Sequence, residues 1–194
     1  MNIDLIKAHV YNKLSTESSG HDYLHALRVV KNCEKFIADY EVDIDVIIAA
    51  AYVHDLIDHK LSHNFKSTEE EIRDLLLESD LKKDQVNLVI DIINNISYSK
   101  GNVPASLEGK IVQDADRLDA LGAIGIARTF AYGGKNDRLI YSLDEKDTEN
   151  SVFHFHDKLF KLTNLMNTKR GKELARNRTK FMEKFISELN DEIK

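Results

Sequence analysis

Apolar residues recur at intervals of three and four along almost the whole chain, which is the spacing of one face of an α-helix. A first helix carries the apolar stripe Leu5, Ile6, Val10 and Leu14. A second is predicted from about His21 to Tyr40. Its inner face is expected to consist of five apolar residues at helical spacing: Leu24, Leu27, Val30, Cys33 and Ile37.

The segment from about Asp45 to His54 differs from its neighbours because it is apolar on every side. A helix without a polar face belongs in the interior, so we expect this one at the centre of the fold. Ser67 followed by Glu70 has the spacing of a capping box, which predicts a helix starting there and running to about Glu78.

The remaining chain continues the helical pattern. Apolar positions from Val86 to Ile96 predict one helix, and Ser99–Glu108, which contains Pro104, is expected to be a loop. Ile111–Tyr132 is predicted as one helical stretch that Gly133-Gly134 ends. A polar loop over 135–150 precedes two final helices, over roughly 151–165 and 170–193. The pattern contains no linker or repeat, which predicts one all-α domain over residues 1–194.

Composition narrows the function classes. The 194 residues fit one core, and 42% hydrophobic residues are enough to fill it. The net charge of −6 argues against a protein that coats nucleic acid, although a bound cation would still allow a phosphate substrate. One cysteine, no signal-peptide pattern and no apolar run near the ~20 residues of a membrane span predict a cytoplasmic protein.

The pair His54-Asp55 ends the most apolar helix. A carboxylate at that place is costly unless it is paired, hydrogen-bonded or bound to a metal. A structural Asp–His hydrogen bond or an exposed helix end explains the pair as well as a metal site does.

His25 is the second candidate, because Val29 and Cys33 follow it on one helical stripe. His21, one turn earlier beside Gly20, could form a metal pair with it and is expected at the mouth of a pocket. The alternative for His25 is a hydrogen-bonded histidine of the core.

Asp116 and Asp119 lie three residues apart on one helical face and repel each other unless a cation or base lies between them. The alternative is a set of aspartates in a first helical turn, and it stays open for Asp114. Taken together, two imidazoles and two carboxylates from three helices suit a divalent cation such as Mn²⁺, Mg²⁺, Fe²⁺, Co²⁺, Ni²⁺ or Zn²⁺.

The order His25, His54-Asp55 and Asp116, in the contexts HALRVV, AAYVHDLID and DADRLDAL, resembles the HD superfamily of metal-dependent phosphohydrolases. The resemblance runs from about Ser19 to about Gly134. It implies a helical HD-type core over about 19–134, with C-terminal helices of about 151–193 packed on it. The motifs GHDxxHxxRV, HDxxD and DADRLDA are similar to those of small single-domain nucleotide pyrophosphohydrolases.

The resemblance also implies roles for individual residues. The expected ligands of one divalent ion, Mn²⁺ or Mg²⁺ in the first place, are His25, His54, Asp55 and Asp116. Asp58 matches the residue that orients or deprotonates the attacking water, with a helix cap or a support for a ligand histidine as the alternative. Substrate contacts are expected from Lys60, His21 and Asp119. Residues with no settled role are the histidines His59, His63, His154 and His156 and the candidate phosphate contacts Arg117, Arg128, Lys135 and Arg138.

The expected reaction is hydrolysis of (deoxy)nucleoside triphosphates to monophosphate and pyrophosphate. Two alternatives stay open: a 5′-monophosphatase or phosphodiesterase using the same site, and a regulatory module that binds metal or nucleotide without catalysis. The expected partner is a small nucleotide rather than nucleic acid or a membrane, and a homodimer remains an open possibility.

Overall fold

A computed structural model of the protein describes residues 1–16, 20–57, 66–97, 101–144 and 146–193. Within these ranges the chain forms α-helices and one 3₁₀ helix, and no strand. The prediction of an all-α fold is confirmed. The helices are α1 (Ile3–Leu14), α2 (Tyr23–Ile37), α3 (Ile44–Val53), α4 (Glu69–Glu78), α5 (Lys83–Asn95), α6 (Leu107–Asp119), α7 (Gly122–Lys135), α8 (Ser151–Asp157), the 3₁₀ helix (Leu159–Leu165) and α9 (Lys169–Ile193).

Contacts divide the chain into two compact units, Met1–Asp116 and Arg117–Lys194. In the first unit α3 packs against α1, α2 and α5. In the second, α7 packs against α8 and α9, and the rings of Phe130, Phe155 and Phe185 lie against one another. The assignment of residues 1–194 to one domain stays a prediction. Among the described residues, no helix combines the length and the apolar character that crossing a membrane requires.

Helix α3 is the central helix of the first unit, as its uniform apolar character predicts. The side chain of Asp43 starts it by accepting a hydrogen bond of 3.2 Å from the Val46 N–H. From there Val46, Ile47 and Ala49 to Val53 are buried. Burial of these residues places the C-terminal end of α3, which leads into His54, within the core.

The inner face of α2 differs from the prediction. Leu24 is 58% exposed, whereas the buried side chains are His25, Ala26, Val29, Val30, Asn32, Cys33 and Phe36. Val30 and Cys33 are buried as predicted, and the prediction is wrong for Leu24 because it followed apolar residues only, while the buried face also includes the polar His25 and Asn32. The Cys33 thiol is fully buried, and burial raises its pKa.

The capping box of α4 lies one residue later than predicted. Thr68, not Ser67, is the N-cap: its hydroxyl accepts from Glu71 N–H, and the Glu71 carboxylate accepts from Thr68 N–H. Ser67 instead donates its backbone N–H to the Leu56 carbonyl at 2.7 Å. That bond holds Ser67 outside the helix, so the cap moves to Thr68.

We expect Thr68→Ala to lower the free energy of unfolding by about 1 kcal/mol, because it leaves the Glu71 N–H of α4 without its side-chain acceptor. Urea unfolding monitored by circular dichroism measures the change. Thr68→Ser, which keeps the accepting hydroxyl, is the matched control, and an equal loss there would contradict the assignment of the cap.

The single helix predicted over Ile111–Tyr132 is two helices, because the chain turns between Asp119 and Gly122. Gly122, the first residue of α7, has φ +79°, a left-handed backbone that prevents α6 from continuing into α7 and that glycine adopts without strain. Gly133-Gly134 does not end α7, which runs on to Lys135. The predicted helix over 151–165 is likewise α8 followed by the 3₁₀ helix, while α9 lies close to the range predicted for it.

Candidate metal centre

Side chains from three segments of the first unit meet at one point. His25 lies in the first turn of α2, His54-Asp55 follows α3, and Asp116 lies on α6. His25 Nε2 is 3.2 Å from His54 Nε2, 3.3 Å from Asp55 Oδ2 and 3.4 Å from Asp116 Oδ1. His54 Nε2 is 3.4 Å from the same Asp55 oxygen and 3.8 Å from the same Asp116 oxygen. We call these four residues the HHDD cluster.

Local backbone contacts aim the two histidines of the HHDD cluster. The Asp22 carboxylate caps α2 by accepting from His25 N–H at 2.7 Å, which fixes the turn that carries His25. His54 Nδ1 donates to the Ala51 carbonyl at 2.9 Å. Because that carbonyl can only accept, the proton of the neutral ring lies on Nδ1, and the lone pair of Nε2 faces the cluster.

The arrangement fits a divalent cation. Ligand bonds of about 2.0–2.2 Å place neighbouring donor atoms roughly 3.0–3.4 Å apart around such an ion. The measured separations of 3.2–3.8 Å lie at or just above that range. Lone pairs and carboxylate oxygens this close repel one another unless a positive charge lies between them. A proton on His25 Nε2 can join some of these atoms by hydrogen bonds, and a divalent cation at the centre would satisfy the histidine nitrogens and the carboxylates together.

Both carboxylates of the cluster are held in the ionised form. Burial acts to raise the pKa of Asp55, but the neighbouring His54 and hydrogen bonds from His21 and His25 lower it well below its usual value. For Asp116, burial likewise acts upward, while the hydrogen bond from His25 and the nearby His54 bring its pKa to about 2. Two anionic donors are thus present at neutral pH.

His21 extends the cluster toward solvent. Its Nδ1 is 2.9 Å from Asp55 Oδ2, and its ring meets His25 edge-on at 5.6 Å between centroids. Two groups of donor atoms with the geometry for a metal result, His21–His25–Asp55 and His25–His54–Asp116. The side chain of His21 is 26% exposed, so it lies at the open side of Asp55. Its role in substrate binding stays a prediction.

The other predicted site residues lie elsewhere or outside the described chain. Asp58, Lys60, His59 and His63 fall outside the described residues. Asp119 belongs to the second unit, where its buried carboxylate accepts from Arg128 at 2.8 Å, and its substrate role stays a prediction. Of the second unit's two histidines, His156 meets the Phe160 ring edge-on, and His154 is half-buried, with its pKa lowered first by burial.

The positions of Asp114 and Asp116 exclude the alternative that these aspartates belong to the first turn of a helix. Helix α6 begins at Leu107, so both aspartates lie far beyond its first turn. A favourable helix dipole at the N-terminus acts only within that turn and cannot account for them.

One buried polar residue beside the cluster was missed in the sequence. Asn32 is 3% exposed, and its Nδ2 donates to the carbonyl of Ala115, next to Asp116. Its signal is visible in hindsight: it lies seven residues after His25, two helical turns along the same face.

The HHDD cluster lies in a segment that this chain shares with a known protein family. The model of the HD domain family matches residues 22–121, which includes every member of the HHDD cluster. The Bacillus subtilis protein YpgQ is 39% identical over 193 residues, covering 97% of this chain and 92% of YpgQ.

Solved structures share the fold over nearly the full length. The crystal structure of B. subtilis YpgQ in complex with ADP has a TM-score of 0.87 and 36% identity, covering 98% of this chain and 94% of that one. An HD-superfamily hydrolase from Bacillus thuringiensis has a TM-score of 0.81 and 38% identity, covering 98% and 95%. The similarity therefore extends well beyond the motif segments.

Proposed function

This chain belongs to the HD domain family, and from that premise we propose that it is a divalent-metal-dependent phosphohydrolase acting on nucleoside triphosphates. The observation that carries the proposal is that the Nε2 atoms of His25 and His54 lie 3.2 Å apart and that each is within 3.3–3.8 Å of one oxygen of Asp55 and one of Asp116. No hydrophobic or purely structural role requires four such groups at one point. In this proposal His25, His54, Asp55 and Asp116 hold one divalent ion.

The residues of the cluster divide the work. A divalent ion held there would lower the pKa of a water molecule bound to it and would neutralise negative charge on the phosphate oxygens. His54, oriented by the Ala51 carbonyl, presents a lone pair without moving a proton. Asp55 is held by His21, which restricts the carboxylate to one orientation. Asp58 lies three residues after Asp55 in the sequence, and we assign it the orientation or deprotonation of the attacking water.

A nucleotide is the substrate class that the comparisons favour. YpgQ, which matches this chain over nearly its whole length, forms a crystalline complex with ADP. ADP contains the nucleoside and the α- and β-phosphates of ATP, one of the nucleoside triphosphates. The acidic net charge of −6 leaves phosphate recognition to the bound cation and individual basic side chains such as Lys60, rather than to a basic surface.

The bond to be broken is proposed from the motif resemblance. GHDxxHxxRV, HDxxD and DADRLDA are similar to the pyrophosphohydrolase branch, which implies attack at the α-phosphorus with pyrophosphate as leaving group. One ion and one water then need to act only on the α-phosphate, while basic side chains neutralise the leaving group.

We expect a reaction in ¹⁸O-labelled water with Mn²⁺ and a nucleoside triphosphate to place the label in the nucleoside monophosphate, since water attacks the α-phosphorus. Mass spectrometry of both products reads the label directly. The same reaction with the metal chelated is the control and should show no turnover.

Other outcomes separate the alternatives. Label in pyrophosphate, inorganic phosphate as first product, or turnover of monophosphates alone would refute the assignment to pyrophosphohydrolases and leave a broader phosphohydrolase. Tight metal binding without turnover of any nucleotide in a panel would indicate a binding module instead.

A further inference from the structure

Asn32 places a buried amide between α2 and α6. Its neighbours along the buried face of α2, Val29 and Cys33, are fully buried, and so are Ile111 and Val112 on α6. A buried amide costs free energy unless its hydrogen bonds are made, so an asparagine here calls for a specific partner.

One such partner is the backbone next to a proposed metal ligand. Asn32 Nδ2 donates to the Ala115 carbonyl at 3.1 Å, and Ala115 directly precedes Asp116. A carbonyl has two lone pairs and can accept this bond in addition to a helical one. Lys35 Nζ donates to Asn32 Oδ1 at 3.3 Å, which fixes the amide so that its NH₂ group faces α6.

Asp116 depends on its backbone more than the other cluster members do. Its side chain is 31% exposed, whereas those of His25, His54 and Asp55 are 1%, 3% and 9% exposed. Surrounding side chains therefore restrict Asp116 least. Apolar contacts of α6 hold the helix in place but are not directional, and they permit small rotations about its axis. A hydrogen bond to a backbone carbonyl is directional and opposes such a rotation.

We propose that Asn32 is a positioning residue for the metal site: through the Ala115 carbonyl it sets the rotation of α6 that brings Asp116 to His25. One helix, α2, then carries both the ligand His25 and the group that places its opposite ligand. The His25 Nε2–Asp116 Oδ1 distance of 3.4 Å and the Asn32–Ala115 bond fix α6 against α2 at neighbouring points. The inference rests on the proposed metal site.

The test compares Mn²⁺ affinity with the stability of the metal-free protein. Asn32→Leu keeps the approximate size of the side chain and removes the donor, and Asn32→Ser shortens it beyond reach of Ala115. We expect either variant to bind Mn²⁺ about 10–100-fold more weakly by isothermal titration calorimetry, as for other lost supports of metal ligands. The thermal midpoint of the metal-free protein serves as the measure of folding.

Gln85→Ala is the matched control. Gln85 on α5 donates to Asp43 at 2.8 Å, so it also joins two elements of the first unit, but at the end of α3 opposite to His54. We expect it to lower the thermal midpoint and leave Mn²⁺ affinity unchanged.

The outcomes separate this inference from the proposed function. Unchanged Mn²⁺ affinity in Asn32→Leu, or in Asn32→Ser if the leucine variant does not fold, would overturn the role of Asn32 alone. An equal loss of affinity in Gln85→Ala would overturn it too, because the effect would then be general destabilisation. Failure of the wild-type protein to bind Mn²⁺ would overturn the metal site itself.

Discussion

His54→Ala is expected to abolish divalent-metal binding and to lower nucleotide turnover by about 10³-fold or more, since metal-ion catalysis contributes several kcal/mol. His54 Nε2 lies within 3.2–3.8 Å of donor atoms of the other three cluster residues, so its loss opens the middle of the set. Elemental analysis of the purified variant and initial rates with added Mn²⁺ measure both effects.

Two further variants give this result its meaning. His9→Ala removes another histidine of the first unit, one that contacts Ser67 Oγ at 3.3 Å and lies outside the cluster, and should keep the metal and the activity. Asp58→Ala should lose turnover while largely keeping the metal, because we assign Asp58 to the water rather than to the ion. A His54→Ala protein that retains its metal would refute the proposed site, and equal metal loss in Asp58→Ala would refute the division of roles.

Gly125→Ala is expected to lower the free energy of unfolding by about 3 kcal/mol, near the upper end for inserting a methyl group into a packed site. A Cβ at Gly125 would lie 2.2 Å from the carbonyl oxygen of Ala120 and 2.5 Å from its carbon. Both are backbone atoms of the turn between α6 and α7, so no side-chain rotation can relieve the overlap. Urea unfolding followed by circular dichroism measures the loss.

Gly134→Ala is the matched control in the same helix. A Cβ there meets no atom within 4 Å, and alanine favours a helix over glycine. We expect unchanged or slightly increased stability. Similar destabilisation by both substitutions would show that helix α7 tolerates no side chain at either position, and that the contact with Ala120 is not the cause.

Much of the cluster could be predicted because its residues stand out locally. His54-Asp55 ends an apolar helix, and His25 begins a buried stripe, so each is a polar group in an apolar context. Their convergence could be inferred only by resemblance to a family, since helical periodicity gives no distances between helices. Here the structure supplies the 3.2–3.8 Å separations.

Two of the errors share one physical origin, which is that tertiary contacts overrule local pattern. Leu24 fits an apolar stripe but is exposed, because the face of α2 that packs against the rest of the unit contains His25 and Asn32 and does not contain Leu24. Ser67 fits a capping box but is held by the Leu56 carbonyl. The third error is local: the turn at Gly122 needs a positive φ. Glycine adopts that conformation easily, but a glycine in the sequence does not by itself show that the backbone adopts it there.

The buried Cys33 makes the interior of α2 open to chemical measurement. It is the one cysteine in the sequence, and its side chain is fully buried next to Asn32. A thiol reagent can reach it only while α2 is transiently open, so the labelling rate reports how often that opening occurs. The native protein therefore carries its own probe of local unfolding beside the HHDD cluster. Slower labelling in the presence of a divalent ion would measure, without an engineered tag, how firmly the ion closes this part of the fold.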